Sequence, residues 1–164
     1  MSEAGAGTTP VVFVHGLWLH ADSWGAWIDL FRGAGYAPTA PGWPGDSGTI
    51  EETRRDSERV AGHGIDDVVE HYAGIIRGLD HAPVIMGHSF GGLVTEMLLD
   101  RGLGAAGVAI SPAPFKGVLR LPPAQIKSAF PVLGNPANRS RAVPLTFDQF
   151  WTRTPPLNTG DSPG

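Results

Sequence analysis

The chain has 164 residues, 41% of them hydrophobic and 17% charged, with a formal net charge of −4 at neutral pH. That length and mixture give a globular domain with a core of its own and exclude a disordered chain. The lack of a basic block excludes the electrostatic footprint of a nucleic-acid or anionic-lipid binder, and the lack of cysteine excludes a disulfide framework, a thiolate zinc site and a thiol nucleophile.

Residues 1–9 carry neither a basic n-region nor an apolar h-region. They read as a flexible leader and not as a signal peptide. No apolar run approaches the roughly 20 residues that a membrane-spanning helix needs. With cysteine absent, a reducing cytoplasm fits. Val11-Val12-Phe13-Val14 is β-branched and aromatic, which predicts a buried strand. His15-Gly16-Leu17-Trp18 breaks it into a loop. Asp22 or Ser23 can cap a helix that runs to about Arg32, with Trp24, Trp27, Ile28 and Phe31 on one apolar face. Gly33-Ala34-Gly35 stops that helix. Tyr36–Ala40 predicts a second, weaker strand, and Pro38 makes it irregular or leaves its N–H side unpaired.

Residues 41–64 form a connection rich in Gly, Pro and charge, with a short helix around Glu51–Arg59. Asp66 or Asp67 starts the next helix, which carries Val68, Val69, Tyr72, Ile75, Ile76 and Leu79 on one side. Ala82–Met86 predicts the third strand, Phe90 to about Arg101 the following helix, and Ala106–Ile110 the fourth strand. Strands alternating with helices over short links imply an α/β fold, a parallel sheet with helices on both faces. From Pro112 the pattern changes to short helical pieces punctuated by proline, which reads as a cap over 112–150. Residues 151–164 are mostly Thr, Pro, Gly, Asn and Ser and are expected to be disordered. The organisation expected is therefore a leader over 1–9, a core over 10–111, a cap over 112–150 and a tail over 151–164.

The chemistry concentrates in Gly87-His88-Ser89-Phe90-Gly91-Gly92. An apolar strand precedes it and a helix follows, the context that a nucleophile elbow requires. Ser89 would sit on a sharp turn that demands small neighbours, which Gly87 and Gly91 supply, and the extra Gly92 makes the motif more specific. The Phe90 N–H, at the start of the helix, would be one donor to a developing oxyanion. A second donor belongs after the first strand, where Gly16 allows close backbone approach. The Leu17 N–H is the first choice for it and Trp18 the alternative. His15 reads as a residue that pins this loop by hydrogen bonds and not as a base. His88 should point away from the attack trajectory and pack or line a pocket. Of the tryptophans, Trp18 and Trp43 follow strands at their C-terminal ends, where open α/β sheets place ligands. The expected pocket set is His15, Trp18, Trp43 and His88. Gly45-Asp46-Ser47 lies too far from the N-terminal strand for the esterase motif that it suggests, and it reads as the polar turn after the second strand.

These pieces resemble the α/β-hydrolase superfamily, specifically its small esterase-like members with a helical cap. The matching segments are Val11–Gly16, the loop Pro41-Gly42-Trp43-Pro44-Gly45-Asp46-Ser47, the elbow Gly87–Gly92 and the strand that ends in Ser111-Pro112. The resemblance covers roughly 10–150. It implies a parallel-sheet core of about four strands with a partial cap, incomplete at the C-terminus. It also implies a serine hydrolase acting on a carboxylic ester or related acyl bond of a small molecule, with Ser89 as nucleophile and no metal or organic cofactor. In that family an acid and a histidine follow the nucleophile. Here all six histidines (His15, His20, His63, His71, His81 and His88) precede Ser89, and of the acidic residues after it (Glu96, Asp100, Asp148 and Asp161) none follows a predicted strand.

Two expectations follow. The abrupt change at Phe150–Trp151 reads as a truncation by a shifted reading frame or a broken gene. The chain alone should be inactive for lack of a downstream histidine, with self-association or a complementing chain at the open edge of the fourth strand. The other functional class is a non-catalytic fragment or pseudoenzyme that at most binds a small apolar ligand.

Overall fold

A computed structural model of the chain describes residues 8–114, together with 141 and 143. The chain divides into two units, Met1–Val118 and Leu119–Gly164, and the described residues fall almost wholly in the first. Most of the expected leader and cap, and all of the expected tail, lie outside the described residues.

Four parallel strands form one sheet: β1 (Pro10–Val14), β2 (Ala37–Thr39), β3 (Val84–His88) and β4 (Ala106–Ile110), in the order β2-β1-β3-β4. Four α-helices connect or flank them: α1 (Gly25–Gly33), α2 (Ile50–Arg55), α3 (Ile65–Arg77) and α4 (Phe90–Asp100). Short 3-10 turns at Ala21–Trp24 and Ser57–Val60 precede α1 and follow α2.

The side-chain period of a strand explains how β1 organises both faces. Val11 and Phe13 face α1, where Trp24, Ile28 and Phe31 pack with Met86 of β3. Val12 and Val14 face the opposite way, against Val68, Val69, Tyr72, Ala73 and Ile76 of α3 and Val94 and Leu98 of α4. A strand covered on both faces must be apolar throughout, and Val11–Val14 are fully buried. β2 is only three residues long and lies at the sheet edge, with Pro38 opposite Val11. An edge tolerates proline because one side of the strand needs no donor.

The first helical segment begins differently from the sequence expectation. The chain enters it through a 3-10 turn, and the His20 ring, not Asp22 or Ser23, takes the first free N–H, that of Asp22, at 3.3 Å. α3 starts at Ile65, where the Asp67 carboxylate accepts the Gly64 N–H at 2.8 Å. At the other side of the sheet, β4 leaves Val108 44% exposed. Among the described residues no helix is long and apolar enough to cross a membrane.

Strand order decides where a site can form. From β1 the chain winds through α1 to β2 on one side, then returns past β1 to β3 and β4 on the other. The winding direction thus reverses between β1 and β3, and in open α/β sheets the crevice at the carboxyl ends of such strands holds ligands. The register pairs Val14 with Gly87, which brings the loop that begins at His15 beside the turn at Ser89.

Candidate functional site

Ser89 stands between β3 and α4 at φ 56° and ψ −119°. These are the angles of the first central position of a type II′ turn, which glycine normally takes. A non-glycine residue held there costs of order 1–3 kcal/mol, so the surroundings must fix it. They do so through the backbone. The Ser89 N–H donates to the Ile110 carbonyl at 3.0 Å, and the Ser89 carbonyl accepts from Leu93 at 3.2 Å and from Ala113 at 2.9 Å.

The glycines of the elbow are required by contact. A Cβ on Gly87 would overlap the Gly91 carbonyl and the Thr95 hydroxyl, and one on Gly91 would overlap the Val14 carbonyl. The first turn of α4 thus lies directly on the ends of β1 and β3. Gly92 has more room, with a Cβ 3.0 Å from Pro112. Gly16 presses on the elbow from the β1 side, where a Cβ would stand 3.0 Å from the His88 carbonyl and 3.1 Å from the Ser89 Cβ. Among the described residues, neither the Leu17 N–H nor the Phe90 N–H has a hydrogen-bond acceptor.

Two more non-glycine residues have positive φ, Trp18 at 61° and Ser111 at 43°. With Ser89 they follow β1, β3 and β4, so all the backbone strain of this kind among the described residues gathers at the carboxyl ends of the sheet. Sequence reasoning did not single out Ser111. Its only signal was the Ser111-Pro112 pair after the fourth strand.

The loop 41–47 is tied down from several directions. Asp46 Oδ2 accepts the Trp43 N–H at 2.8 Å and lies 3.1 Å from His15 Nε2. The Trp43 indole N–H donates to the His15 carbonyl at 3.1 Å, and its ring stacks on the His15 ring at 5.4 Å. The His20 Nε2–H donates to the Ser47 carbonyl, and the His71 Nε2–H to the Gly42 carbonyl, each at 3.1 Å. The Tyr72 hydroxyl donates to the Pro41 carbonyl at 2.6 Å. Burial first, and the Asp46 charge second, push the Tyr72 hydroxyl far above its ordinary pKa, so it stays a donor. Sequence reasoning read Asp46 only as part of a polar turn. It missed the buried His15–Asp46 pair because nothing in the spacing of 15 and 46 announces it.

Of the expected pocket residues, His88 lines a shallow depression of about 220 Å³ with Leu19, Ser23, Trp24, Trp27 and Ile110. His15 and Trp43 lie against each other in the loop clamp instead, and Trp18 is 41% exposed on the loop after β1. Ser89 does not border that depression. His63 and His81 are exposed. Glu96 and Asp100 are both carried by α4, whereas Asp148 and Asp161 lie outside the described residues.

A parallel sheet whose winding reverses beside a strained strand–turn–helix serine defines the α/β-hydrolase class. Residues 11–162 match the model of the alpha/beta hydrolase family, and the chain belongs to that family. Among solved structures it is similar to a monoacylglycerol lipase of Paleococcus ferrophilus, at 29% identity and a TM-score of 0.54, over 79% of this chain and 49% of that one. It is also similar to an extracellular alpha/beta-hydrolase from a Paenibacillus species, at 20% identity and a TM-score of 0.60, over 83% and 55% of the two chains. Epoxide hydrolases from metagenomes of hot environments share the fold at 21% identity and a TM-score of 0.61, over 80% of this chain and 45% of that chain. The chain thus spans about half the length of these structures. No curated protein matches it.

Proposed function

We propose that this chain carries the nucleophile of a serine hydrolase that acts on a carboxylic ester, or a related acyl bond, of a small molecule. The observation that carries the reading is Ser89 itself, a non-glycine residue held at φ 56° on the turn from β3 into α4, with Gly16 packed against it. In this reading the Ser89 hydroxyl gives its proton to a base and attacks the carbonyl carbon, the ester C–O bond breaks, the alcohol leaves with that proton, and an acyl-enzyme remains. The Leu17 and Phe90 N–H groups hold the oxyanion, each contributing about 10²–10³-fold. Water then releases the acid. The likeness to a monoacylglycerol lipase, an enzyme named for an ester substrate, supports an ester over an amide or thioester.

Ser89 also needs a base. His15, His20 and His71 spend ring nitrogens on the loop 41–47, and His88 borders the depression that Ser89 does not reach. Among the described residues none of these four rings is free to serve Ser89, and His63 and His81 are exposed on the connections outside the elbow, so these residues alone are proposed to act slowly or not at all. The open edge at β4, whose Val108 is 44% exposed, is the place where a complementing chain would dock. The alternative, a non-catalytic binder of a small apolar ligand, is favoured by that same commitment of the histidines.

A fluorophosphonate probe on the purified chain tests the reading beside Ser89→Ala. Labelling that disappears in the variant supports a competent nucleophile. A folded chain that never labels leaves the binder.

A further inference from the structure

Asp46 joins the loop after β2 to the loop after β1 close to the elbow. Its side chain is only 8% exposed, that of His15 3%. One oxygen, Oδ2, meets both the Trp43 N–H and His15 Nε2. The Trp43 indole then returns to the His15 carbonyl and closes a ring of contacts between the loop after β1 and the loop after β2. His15 is followed directly by Gly16, whose Cα faces Ser89, and by Leu17. The Trp43 indole holds the His15 carbonyl, and the Leu19 N–H closes back on the Gly16 carbonyl at 3.3 Å, so Leu17 lies between two held points. A buried carboxylate is stable only when its hydrogen bonds are met, and here removing it would leave the Trp43 N–H without its acceptor and His15 Nε2 without its partner.

We propose that Asp46 is a positioning residue: through His15 and Trp43 it sets the Leu17 N–H against Ser89. This rests on the reading of the Leu17 N–H as an oxyanion donor. Displacement of about 1 Å at such a donor can cost on the order of 100-fold in rate. Asp46 touches neither the acyl group nor the hydroxyl. It acts by denying the 15–18 loop its other conformations.

The test uses the full chain and two readouts. In Asp46→Ala, the Leu19 amide, which donates to the Gly16 carbonyl, should exchange with deuterium at least about tenfold faster, while the amides of β3 and α4 keep their protection. Fluorophosphonate labelling of Ser89, well below the melting temperature, should slow by about tenfold or more. Asp46→Asn keeps an oxygen acceptor and should restore both to within about threefold, whereas Asp46→Leu keeps the bulk without the acceptor and should not, a difference that a bulk packing role would not predict. If Asp46→Ala does not fold, Trp43→Phe removes the indole donor and part of the stack on His15 while leaving Asp46 in place, and exchange of the Leu19 amide about threefold faster is then expected. A Leu19 amide that stays protected in these variants overturns the proposal, as does a loosened loop with undiminished labelling. Loosening together with an unlabelled wild type supports the clamp and sinks the nucleophile reading instead.

Discussion

Gly16 and Ser89 face each other across the gap between the ends of β1 and β3, so closely that a Cβ on Gly16 would stand 3.1 Å from the Ser89 Cβ. The neighbouring His88 carbonyl, 3.0 Å away, belongs to the backbone and cannot swing aside. Gly16→Ala must therefore push the two loops apart by a few tenths of an ångström. Fluorophosphonate labelling of Ser89 is expected to slow by about tenfold, with a loss of about 1 kcal/mol in urea unfolding. Unchanged labelling in a folded Gly16→Ala would mean that the loop after β1 takes no part in the reaction.

The backbone of Ser89 yields a second expectation. At φ 56° and ψ −119° a glycine is unstrained, whereas serine and alanine are not. Ser89→Gly should be more stable than Ser89→Ala by about 1 kcal/mol, after allowing for the greater unfolded-state entropy of glycine. Both variants should fail to label. Urea midpoints decide the matter, and equal midpoints would mean that the turn relaxes freely and stores nothing for function.

The sequence made the sheet legible because its physical signals were local. Val11–Val14 and Ala106–Ile110 are uninterrupted apolar runs, and the helix periodicity at Val68, Val69, Tyr72 and Ile76 survives as a buried stripe. The elbow was legible because Gly87, Ser89 and Gly91 answer to one turn. What stayed hidden depends on strand order. The contacts of His15 with Asp46 and of Tyr72 with Pro41 each span 31 residues, and they form only because β1 sits between β2 and β3. Ser111, at φ 43°, lies between Ile110 and Ala113, which both bond to the Ser89 backbone, and residue type alone does not encode that arrangement.

Tyr72 should leave a mark on stability at high pH. Burial, and then the Asp46 charge, raise its folded-state pKa above the ordinary value near 10. Above that value the unfolded chain loses the phenolic proton while the folded chain keeps it. The unfolded state then binds fewer protons, so stability falls as pH rises past about 10, and it is unaffected by this group below. Tyr72→Phe should remove that share of the slope. It should also cost about 1 kcal/mol near neutral pH for the lost bond to the Pro41 carbonyl. Urea unfolding of both proteins between about pH 8 and 11 checks this. Parallel curves would mean that the hydroxyl titrates normally.

The last expectation concerns β4. On its inner side the strand pairs with β3, with Met86 opposite Val108 and His88 opposite Ile110. Its sequence is that of a covered strand, yet Val108 keeps 44% of its surface exposed. If a second copy or a complementing chain docks there, a charge at 108 should oppose it, because an ammonium group cannot be buried unpaired. Val108→Lys should shift the chain toward monomer in light scattering at micromolar concentration, with little change in melting temperature, since that position is not part of the core. The size distribution separates the outcomes. A wild type that is already a monodisperse monomer, or a Val108→Lys variant that associates as before, would remove β4 as the site of self-association.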